Sequence, residues 1–378
     1  MKVLVFDPAG SSEDYNLELI KGISKHIFPI YSSSKKPIKL SSNTEFKQFM
    51  TIKKKDYKNR ALNLFNNLFR LIVYPISLLD LILFSLRNKI NIIHYQWSQL
   101  PILDYFFISI LKFFKIRTVM TIHNSNPYHG SIGVLQKIQL IGLANLIRKF
   151  DTLIVHTKKT KINIEKKHKL GEKKIYIINH GLFGSNNLTS NDFKISSKIK
   201  FLTIGSISYY KGIDIALNAF SQISRSNWSF TIAGRVNSSE YLHDLNEIIN
   251  KNDLSANTKI IQKFLSRKEM FEMINSHDLM LLPYRDIDQS GIFMMSMGMN
   301  IPCACSDIGI FSEVIKNQEN GFLFESESVS QLKNLIEDLV ENPKKIESSK
   351  ENFLVNKLNW PSWHQIAEET ISVYKSLK

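Results

Sequence analysis

The middle of the chain contains the stretch FLTIGSISYYKGIDIALNAF, residues 201–220. Within it, Phe201–Ile204 predicts a buried strand, Gly205 a tight turn, and Lys211-Gly212 the start of an amphipathic helix. A strand, a glycine loop and a helix in this order direct backbone N–H groups and the positive end of a helix dipole at one point, which suits a phosphate group. Lys211 adds a mobile positive charge there. The stretch therefore predicts a site for a phosphorylated ligand at the start of a second α/β half.

The alternation of short apolar runs with helix-length amphipathic segments continues along nearly all 378 residues. This pattern is typical of parallel sheets with helical crossovers. The fold class predicted is α/β, with two doubly wound, Rossmann-like domains facing a cleft. Residues 1–180 form the first domain, 181–198 a linker rich in Gly, Ser and Asn, and 199–358 the second domain. A ligand is expected at the cleft, near the carboxyl ends of the strands.

Eleven strands are predicted from the apolar runs, while the polar stretch Ser32–Ser42 is predicted to be a loop. The strands of the first half are Val3–Phe6, Ile90–His94, Thr118–Ile122, Leu153–Val155 and Ile175–Ile178. Those of the second half are Phe201–Ile204, Phe230–Ala233, Lys259–Gln262, Leu279–Leu282, Pro302–Ser306 and Phe322–Phe324.

The net charge of +15 indicates an anionic partner, although a biased genome composition is an equal explanation of the total. Much of the excess lies in the first half, where basic residues alternate with aliphatic and aromatic ones. That mixture favours an anionic membrane surface over nucleic acid, for which no binding motif is present. In Arg60–Leu86 the interruptions Arg70, Pro75 and Asp80 argue against a membrane-spanning helix and favour a helix pair broken at Pro75.

The compartment is inferred from both the cysteines and the start of the chain. Cys303 and Cys305 lie in one predicted strand, so they cannot form a disulfide framework, which fits a reduced cytoplasm. The opening MKVLVFD predicts a strand and lacks the long apolar run of a signal peptide. We therefore expect a cytoplasmic protein, peripheral on the inner face of the cell membrane.

The order of several short motifs is more specific than any one of them. The second half contains GSISYYKG (Gly205–Gly212), HDLMLLPYRDIDQSG (His277–Gly291) and NGFLF (Asn320–Phe324). The first half contains TIHNSNPYHG (Thr121–Gly130) and DTLIVHT (Asp151–Thr157). In these motifs the chain resembles the GT-B glycosyltransferases of the family 4 type, as found in bacterial polysaccharide biosynthesis. The terminal residues 359–378 resemble the final helix that such enzymes pack back on the first domain.

The resemblance implies a nucleotide-sugar donor in the second domain and an acceptor, expected to be a lipid-linked saccharide, in the first. It implies donor contacts from residues of the second half: Gly205, Ser206, Lys211, Gly234, Arg235, Gln289, Ser290 and Gly291. Lys211 and Glu313 would act on the donor, and His123 would lie beside the reacting sugar. Acceptor contacts are assigned to Trp97, Asn124 and His129. The short motifs leave the nucleotide base, the sugar and the linkage open.

Two departures from the family pattern concern the donor site. Ser206 stands where an arginine usually follows the glycine, and Met295 where the second of two glutamates usually stands. Arg235 is a candidate electrostatic replacement for that arginine. Because of these departures, an enzyme of weakened activity is a second interpretation of the sequence. Ser290 and Gly291 also have a second interpretation, in which they only cap a helix.

The function predicted is transfer of a hexosyl group from a nucleotide-sugar to a lipid-linked acceptor in the synthesis of a capsule, lipopolysaccharide or other surface polysaccharide. Retention of configuration is expected; inversion would require a base, for which His123 is the candidate. The alternatives are a catalytically weak partner subunit of a transferase and a nucleotide-sugar epimerase. No cofactor or metal is expected, since the histidines show no paired ligand spacing.

Overall fold

A computed structural model describes residues 1–8, 10–37, 39–49, 60–126, 141–170, 174–184, 198–224 and 226–377. The chain divides into two compact units. The described residues up to Ser125, those within Ser131–Gly181, and Pro361–Leu377 belong to the first unit, and those within Leu182–Trp360 to the second.

The sheet of the first unit has seven strands in the order β3-β2-β1-β4-β5-β6-β7, and neighbouring strands pair in parallel. Its strands are β1 Val3–Asp7, β2 Ile30–Ser33, β3 Glu45–Phe46, β4 Ile92–Tyr95, β5 Arg117–Ile122, β6 Thr152–Val155 and β7 Ile175–Ile177. Most of β1, β4, β5 and β6 is buried, as expected for strands covered by helices on both faces.

The sheet of the second unit has six parallel strands in the order β10-β9-β8-β11-β12-β13. They are β8 Ile199–Ile204, β9 Trp228–Gly234, β10 Thr258–Gln262, β11 Leu279–Leu282, β12 Cys303–Ser306 and β13 Phe322–Phe324. The strand order of both sheets reverses at one place, between β1 and β4 and between β8 and β11. These switch points are where doubly wound sheets bind ligands, beyond the carboxyl ends of the strands.

Helices connect the strands in both units. Those of the first unit are α1 Glu13–Ile23, α2 Arg60–Arg87, α3 Pro101–Phe113, α4 Leu143–Lys149 and α5 Lys158–His168. Those of the second are α6 Ile213–Phe220, α7 Ser239–Lys251, α8 Arg267–Asn275, α9 Gly291–Met299, α10 Gly309–Val314, α11 Val329–Glu341 and α12 Lys344–Asn359. The last helix, α13 Trp363–Lys375, belongs to the first unit.

Two predictions about these elements were wrong, and two elements were not predicted. The structure has a strand at Ile30–Ser33, which includes two residues of the predicted loop, and an unpredicted short neighbour at Glu45–Phe46. Helix α2 runs through Pro75 without a break. Its inner residues Tyr74, Leu78 and Leu81 are buried in the core, so packing outweighs the lost hydrogen bond. Helix α12 was not predicted.

Helix α13 packs tightly against α1. A Cβ atom on Gly22 would lie 2.6 Å from Cβ of Ala367 and 2.8 Å from the carbonyl oxygen of Trp363, so only glycine fits there. At the other end of α13, the Tyr374 hydroxyl lies 2.6 Å from Nδ1 of His94 in β4. The last helix is therefore joined to both α1 and the sheet of the first unit.

Across the described parts of the chain, none of the helices combines the length and apolarity needed to cross a membrane.

Candidate functional site

Several of the residues predicted to bind the donor lie at the switch point of the second sheet. Gly205 directly follows β8, and Tyr284 follows the neighbouring strand β11. Between β8 and α6 the chain makes a short 3-10 turn, Tyr209–Lys211, which ends in Lys211. Gly212 follows with φ +63°, and a Cβ atom there would lie 1.9 Å from the Pro283 carbonyl oxygen, so glycine is required.

Lys211 is buried, with only 4% of its surface exposed. Its Nζ donates a hydrogen bond of 2.6 Å to the Tyr284 hydroxyl and lies 3.4 Å from the Ile204 carbonyl oxygen. Among the described residues, none of the ion pairs within 4.0 Å involves this ammonium group. Burial lowers the pKa of Lys211 to about 7, because no carboxylate offsets the lost hydration. A buried cation with neutral partners is suited to an anion that arrives from solution.

The two glycines at this edge have different roles. Gly205 has φ +110°, and a Cβ atom on it would lie 3.1 Å from Nζ of Lys211 and 3.6 Å from the Ile292 side chain. Glycine at 205 therefore keeps space open beside the ammonium group. Gly234 ends β9, where a Cβ atom would lie 1.4 Å from the Gly205 carbonyl oxygen. The close approach of the two backbones is sufficient to explain Gly234.

Ser290 and Gly291 begin α9 beside this ammonium group. The Ser290 hydroxyl accepts a hydrogen bond of 3.2 Å from the Phe293 N–H and also interacts with the Tyr284 hydroxyl. A Cβ atom on Gly291 would meet no atom within 4 Å, so the helix begins at an open space. Gln289, just before it, is buried. Lys211, Tyr284 and Ser290 thus form a connected group at a helix N-terminus, where N–H groups can bind phosphate oxygens.

Arg285 holds the Lys211 turn in place, a role that the sequence did not indicate. Its guanidinium donates to both carboxylate oxygens of Asp214 at 2.9 and 2.7 Å and to the Tyr209 carbonyl at 2.8 Å. It also pairs with Glu327 at 3.0 Å. These partners raise the pKa of Arg285 and lower that of Asp214. Arg285 is therefore already paired, so it does not replace the arginine that Ser206 displaces.

The other predicted donor residues lie at several places in the second unit. Ser206 is half-buried, and its hydroxyl interacts with that of Tyr210. Arg235 is exposed after β9, and its carbonyl accepts the Ile207 N–H at 2.8 Å. Glu313 is exposed on α10. Gly309, the first residue of α10, has φ +51°, and a Cβ atom there would lie 2.0 Å from the Ile287 carbonyl oxygen, so this glycine allows close contact with the loop that leads to Gln289.

His123 follows β5 in the first unit and is 8% exposed. Its Nδ1 lies 3.2 Å from Nε2 of His156, whose Nδ1 in turn lies 2.9 Å from the Ile178 carbonyl oxygen. Because a carbonyl only accepts, His156 carries a proton on Nδ1. Nε2 of His123 faces the amide oxygen Oε1 of Gln96 at 3.0 Å, and since that oxygen also only accepts, Nε2 is the donor. Both ring nitrogens of His123 are therefore engaged within the unit.

Burial disfavours the charged form of these histidines. Desolvation lowers the pKa of His156 to about 4, that of His94 and of His180 to about 3, and that of His123 well below its usual value. In this arrangement His123 is a weak proton acceptor. The expected retention of configuration stays a prediction, as does the role of His123 as a base in the event of inversion.

Two of the predicted acceptor residues, Trp97 and Asn124, lie next to His123 in the first unit. Trp97 stacks on the His123 ring with centroids 5.4 Å apart, and its Nε1 donates to the Ser12 hydroxyl at 2.6 Å. Asn124 directly follows His123 and is half-buried. His129 lies outside the described residues. Trp97 thus supports His123 with one face of its ring, and the proposed acceptor contact stays a prediction.

Asp7 is the last residue of β1, at the switch point of the first sheet. Its carboxylate accepts hydrogen bonds from the backbone N–H groups of Ser11 at 3.2 Å and Ser12 at 3.0 Å. The Asn16 side chain donates to it at 2.9 Å. A carboxylate of the chain itself therefore interacts with the backbone N–H groups just before α1.

A group of residues on the surface could hold a metal ion. The ligand atoms of His26, His364 and Glu368 lie within 4.8 Å of one another, and all three are exposed. The two imidazole rings stack with centroids 5.2 Å apart. His26 follows α1, and His364 and Glu368 belong to α13, so the packing of these two helices forms the group. The prediction that the reaction needs no metal stays a prediction.

Residues 187–353 match the family model described as glycosyl transferases group 1. This segment is less than half of the chain, and it is similar to that family. The resemblance to GT-B glycosyltransferases is confirmed, while the family 4 assignment stays a prediction. An uncharacterized glycosyltransferase of Methanocaldococcus jannaschii is 24% identical over 176 residues, which are 46% of this chain and 44% of the relative. The match thus spans less than half of that protein.

Solved structures of GT-B glycosyltransferases share the fold of this chain. HepE of Anabaena, in complex with UDP and glucose, has a TM-score of 0.74 at 14% identity, with 100% of each chain covered. Sucrose-phosphate synthase from Thermosynechococcus elongatus has a TM-score of 0.75 at 13% identity, covering 100% of this chain and 98% of that one. WaaG, a glycosyltransferase involved in lipopolysaccharide biosynthesis, has a TM-score of 0.67 at 12% identity, with 99% of each chain covered. The predicted α/β class with two Rossmann-like units is confirmed.

Proposed function

We propose that this glycosyltransferase moves a hexosyl group from a UDP-sugar to a saccharide acceptor, with the donor diphosphate bound at Lys211. The observation that carries the proposal is the burial of Lys211 beside Gly205 with neutral partners alone. A diphosphate would supply the missing negative charge. UDP is the first candidate nucleotide because HepE was solved in complex with UDP and with UDP-glucose.

In the proposed reaction, the bond between the sugar's anomeric carbon and the diphosphate oxygen breaks, and the acceptor hydroxyl forms the new bond on the same face of the sugar. The acceptor proton passes to the departing diphosphate. Negative charge develops on that diphosphate, so Lys211 and the N–H groups at the start of α9 stabilise the transition state more than the bound donor. Tyr284 and Ser290 orient the ammonium group. Contacts of Glu313 with donor hydroxyls belong to the same proposal.

The acceptor is proposed to be a lipid-linked saccharide of a surface polysaccharide, assembled on the cytoplasmic face of the membrane. Two observations support this assignment. Cys303 and Cys305 are free and buried, which fits a reducing compartment. WaaG, with the same fold, acts in lipopolysaccharide biosynthesis.

A calorimetric screen of UDP, GDP, ADP and their sugar conjugates tests the donor assignment. We expect micromolar binding of UDP or its conjugates, lost in Lys211→Met, which keeps the length of the apolar stem. Lys251→Met, at the exposed end of α7, is the matched control and should bind as the parent protein does. Absence of nucleotide binding would overturn the proposal and favour a partner subunit. Conversion of a UDP-sugar without any acceptor would favour the epimerase.

A further inference from the structure

Helices α2 and α3 of the first unit expose an apolar face. On α2 the exposed side chains recur every three or four residues, at Ile72, Ile76, Leu79, Leu83 and Leu86. On α3 they are Ile102, Phe106, Ile110 and Phe113, of which Phe113 is 82% exposed. The Tyr74 hydroxyl of α2 donates to Asp104 of α3 at 2.6 Å, so the two helices lie side by side and their exposed rows form one surface. Soluble monomers rarely leave so many apolar side chains together in water.

A basic cavity of about 550 Å³ lies at the end of this apolar face. Lys89, Lys115 and Arg117 line it together with Phe114, and the described lining residues include no carboxylate. Lys89 follows α2 and Lys115 follows α3, both in the left-handed conformation, with φ of +53° and +59°. Arg117 begins β5. The chain therefore places three cations from three elements around one opening, next to the exposed ring of Phe114.

The two lysines also have a simpler explanation, since a cation after the last turn of a helix interacts favourably with the helix dipole. That explanation does not cover Arg117, which belongs to a strand. It also does not account for the apolar face that adjoins the cavity. Cations beside apolar side chains match the anionic head groups and acyl chains of one bilayer surface.

We propose that the α2–α3 face lies on an anionic bilayer and that the cavity binds the phosphate of a phospholipid head group. The proposal rests on the proposed function only in that both place the enzyme at a membrane. The cavity opens at the amino ends of β4 and β5, whereas His123 follows the carboxyl end of β5. Six residues of strand separate them, a span of roughly 20 Å. The bound phosphate thus belongs to an anchoring lipid and not to the reacting end of the acceptor.

The test uses the full chain with sedimented vesicles of phosphatidylcholine alone or with phosphatidylglycerol. We expect binding only to the anionic vesicles. The triple variant Lys89→Asn, Lys115→Asn, Arg117→Gln should bind about a hundredfold less tightly, since each basic residue near the surface contributes about fivefold. Asparagine tolerates the left-handed conformation, so the helix ends are preserved. The matched control, Lys251→Gln, Lys259→Gln, Lys268→Gln, removes the same charge from the second unit and should bind normally.

A second variant, Phe106→Ser with Phe113→Ser, changes the apolar face and leaves the cavity residues unchanged. This variant should also lose vesicle binding. UDP binding is measured on every variant and should not change. Equal vesicle binding by the triple variant and its control would overturn the proposed membrane-binding surface. So would a parent protein that binds UDP but no vesicles, and in that case the proposed donor site would stand. If vesicles bind and UDP does not, the surface stands and the proposed function fails.

Discussion

Nζ of Lys211 lies 2.6 Å from the hydroxyl oxygen of Tyr284, so the short hydrogen bond of this buried lysine is made to a neutral group. Because burial lowers the pKa of Lys211 to about 7, the lysine of the free protein is mostly neutral at pH 8. Binding of a diphosphate raises that pKa, so the lysine must take up a proton as the ligand binds.

We therefore expect UDP binding at pH 8 to take up most of one proton, because the pKa of Lys211 in the free protein is about 7. Calorimetry in buffers of different ionisation enthalpy measures this number directly. Proton uptake should fall as the pH is lowered through 7, because the lysine of the free protein is already charged below that pH. Lys211→Met should abolish it. A binding enthalpy that is independent of the buffer at pH 8 would mean that the ammonium is charged before the ligand arrives.

Tyr284→Phe removes the hydroxyl that accepts the lysine's short hydrogen bond and keeps the ring. A hydrogen bond to a charged group contributes about 1.5–3 kcal/mol, so UDP affinity at pH 8 should fall roughly tenfold or more. The loss should be smaller at pH 6, where solution protons favour the ammonium form. Affinity measured at both values checks this. Phe293→Leu, a change in the nearby core, provides a control for general loosening.

Arg285→Ala should disturb the turn Tyr209–Lys211, although Arg285 itself is not assigned a contact with the ligand. The variant leaves Asp214, which is half-buried, without its bidentate partner, so the free energy of unfolding should fall by about 2 kcal/mol. UDP affinity should fall as well. A double-mutant cycle with Asp214→Asn measures the coupling of the pair. If the two changes prove additive, Arg285 does not act through Asp214.

Asp7→Asn tests the anion that the first unit supplies to its own helix. The substitution removes the charge at the start of α1 and one acceptor for the backbone N–H groups of Ser11 and Ser12. We expect the free energy of unfolding to fall by about 1–3 kcal/mol. UDP affinity should not change, because the donor is assigned to the second unit. Urea unfolding and calorimetry together separate the two effects.

The sequence was sufficient to predict the parallel sheets, because buried strands such as Leu279–Leu282 are continuous apolar runs. It also indicated Lys211, because a lysine between a glycine turn and the start of a helix is well placed to bind a phosphate group. It could not indicate Arg285 or Asp7, since their partners are backbone groups and side chains that only the fold brings together. The same holds for the cavity at Lys89, Lys115 and Arg117, which arises from the ends of three elements. The strand Ile30–Ser33 was missed because serines and a preceding proline mask its apolar residues.

The buried histidines of the first unit predict acid sensitivity. His94, His156 and His180 have pKa values lowered to about 3–4 in the folded chain, against 6.5 for an exposed histidine. Below pH 6.5 the unfolded chain binds protons that the folded chain does not, so stability is complete above that value and is lost as the pH falls towards 4. Each histidine contributes a slope of about 1.4 kcal/mol per pH unit. Urea unfolding at pH 7.5 and 5.5 should show this loss. His156→Gln should reduce the slope, whereas His243→Gln on the surface of α7 should leave it unchanged; equal slopes for both variants would contradict the assignment.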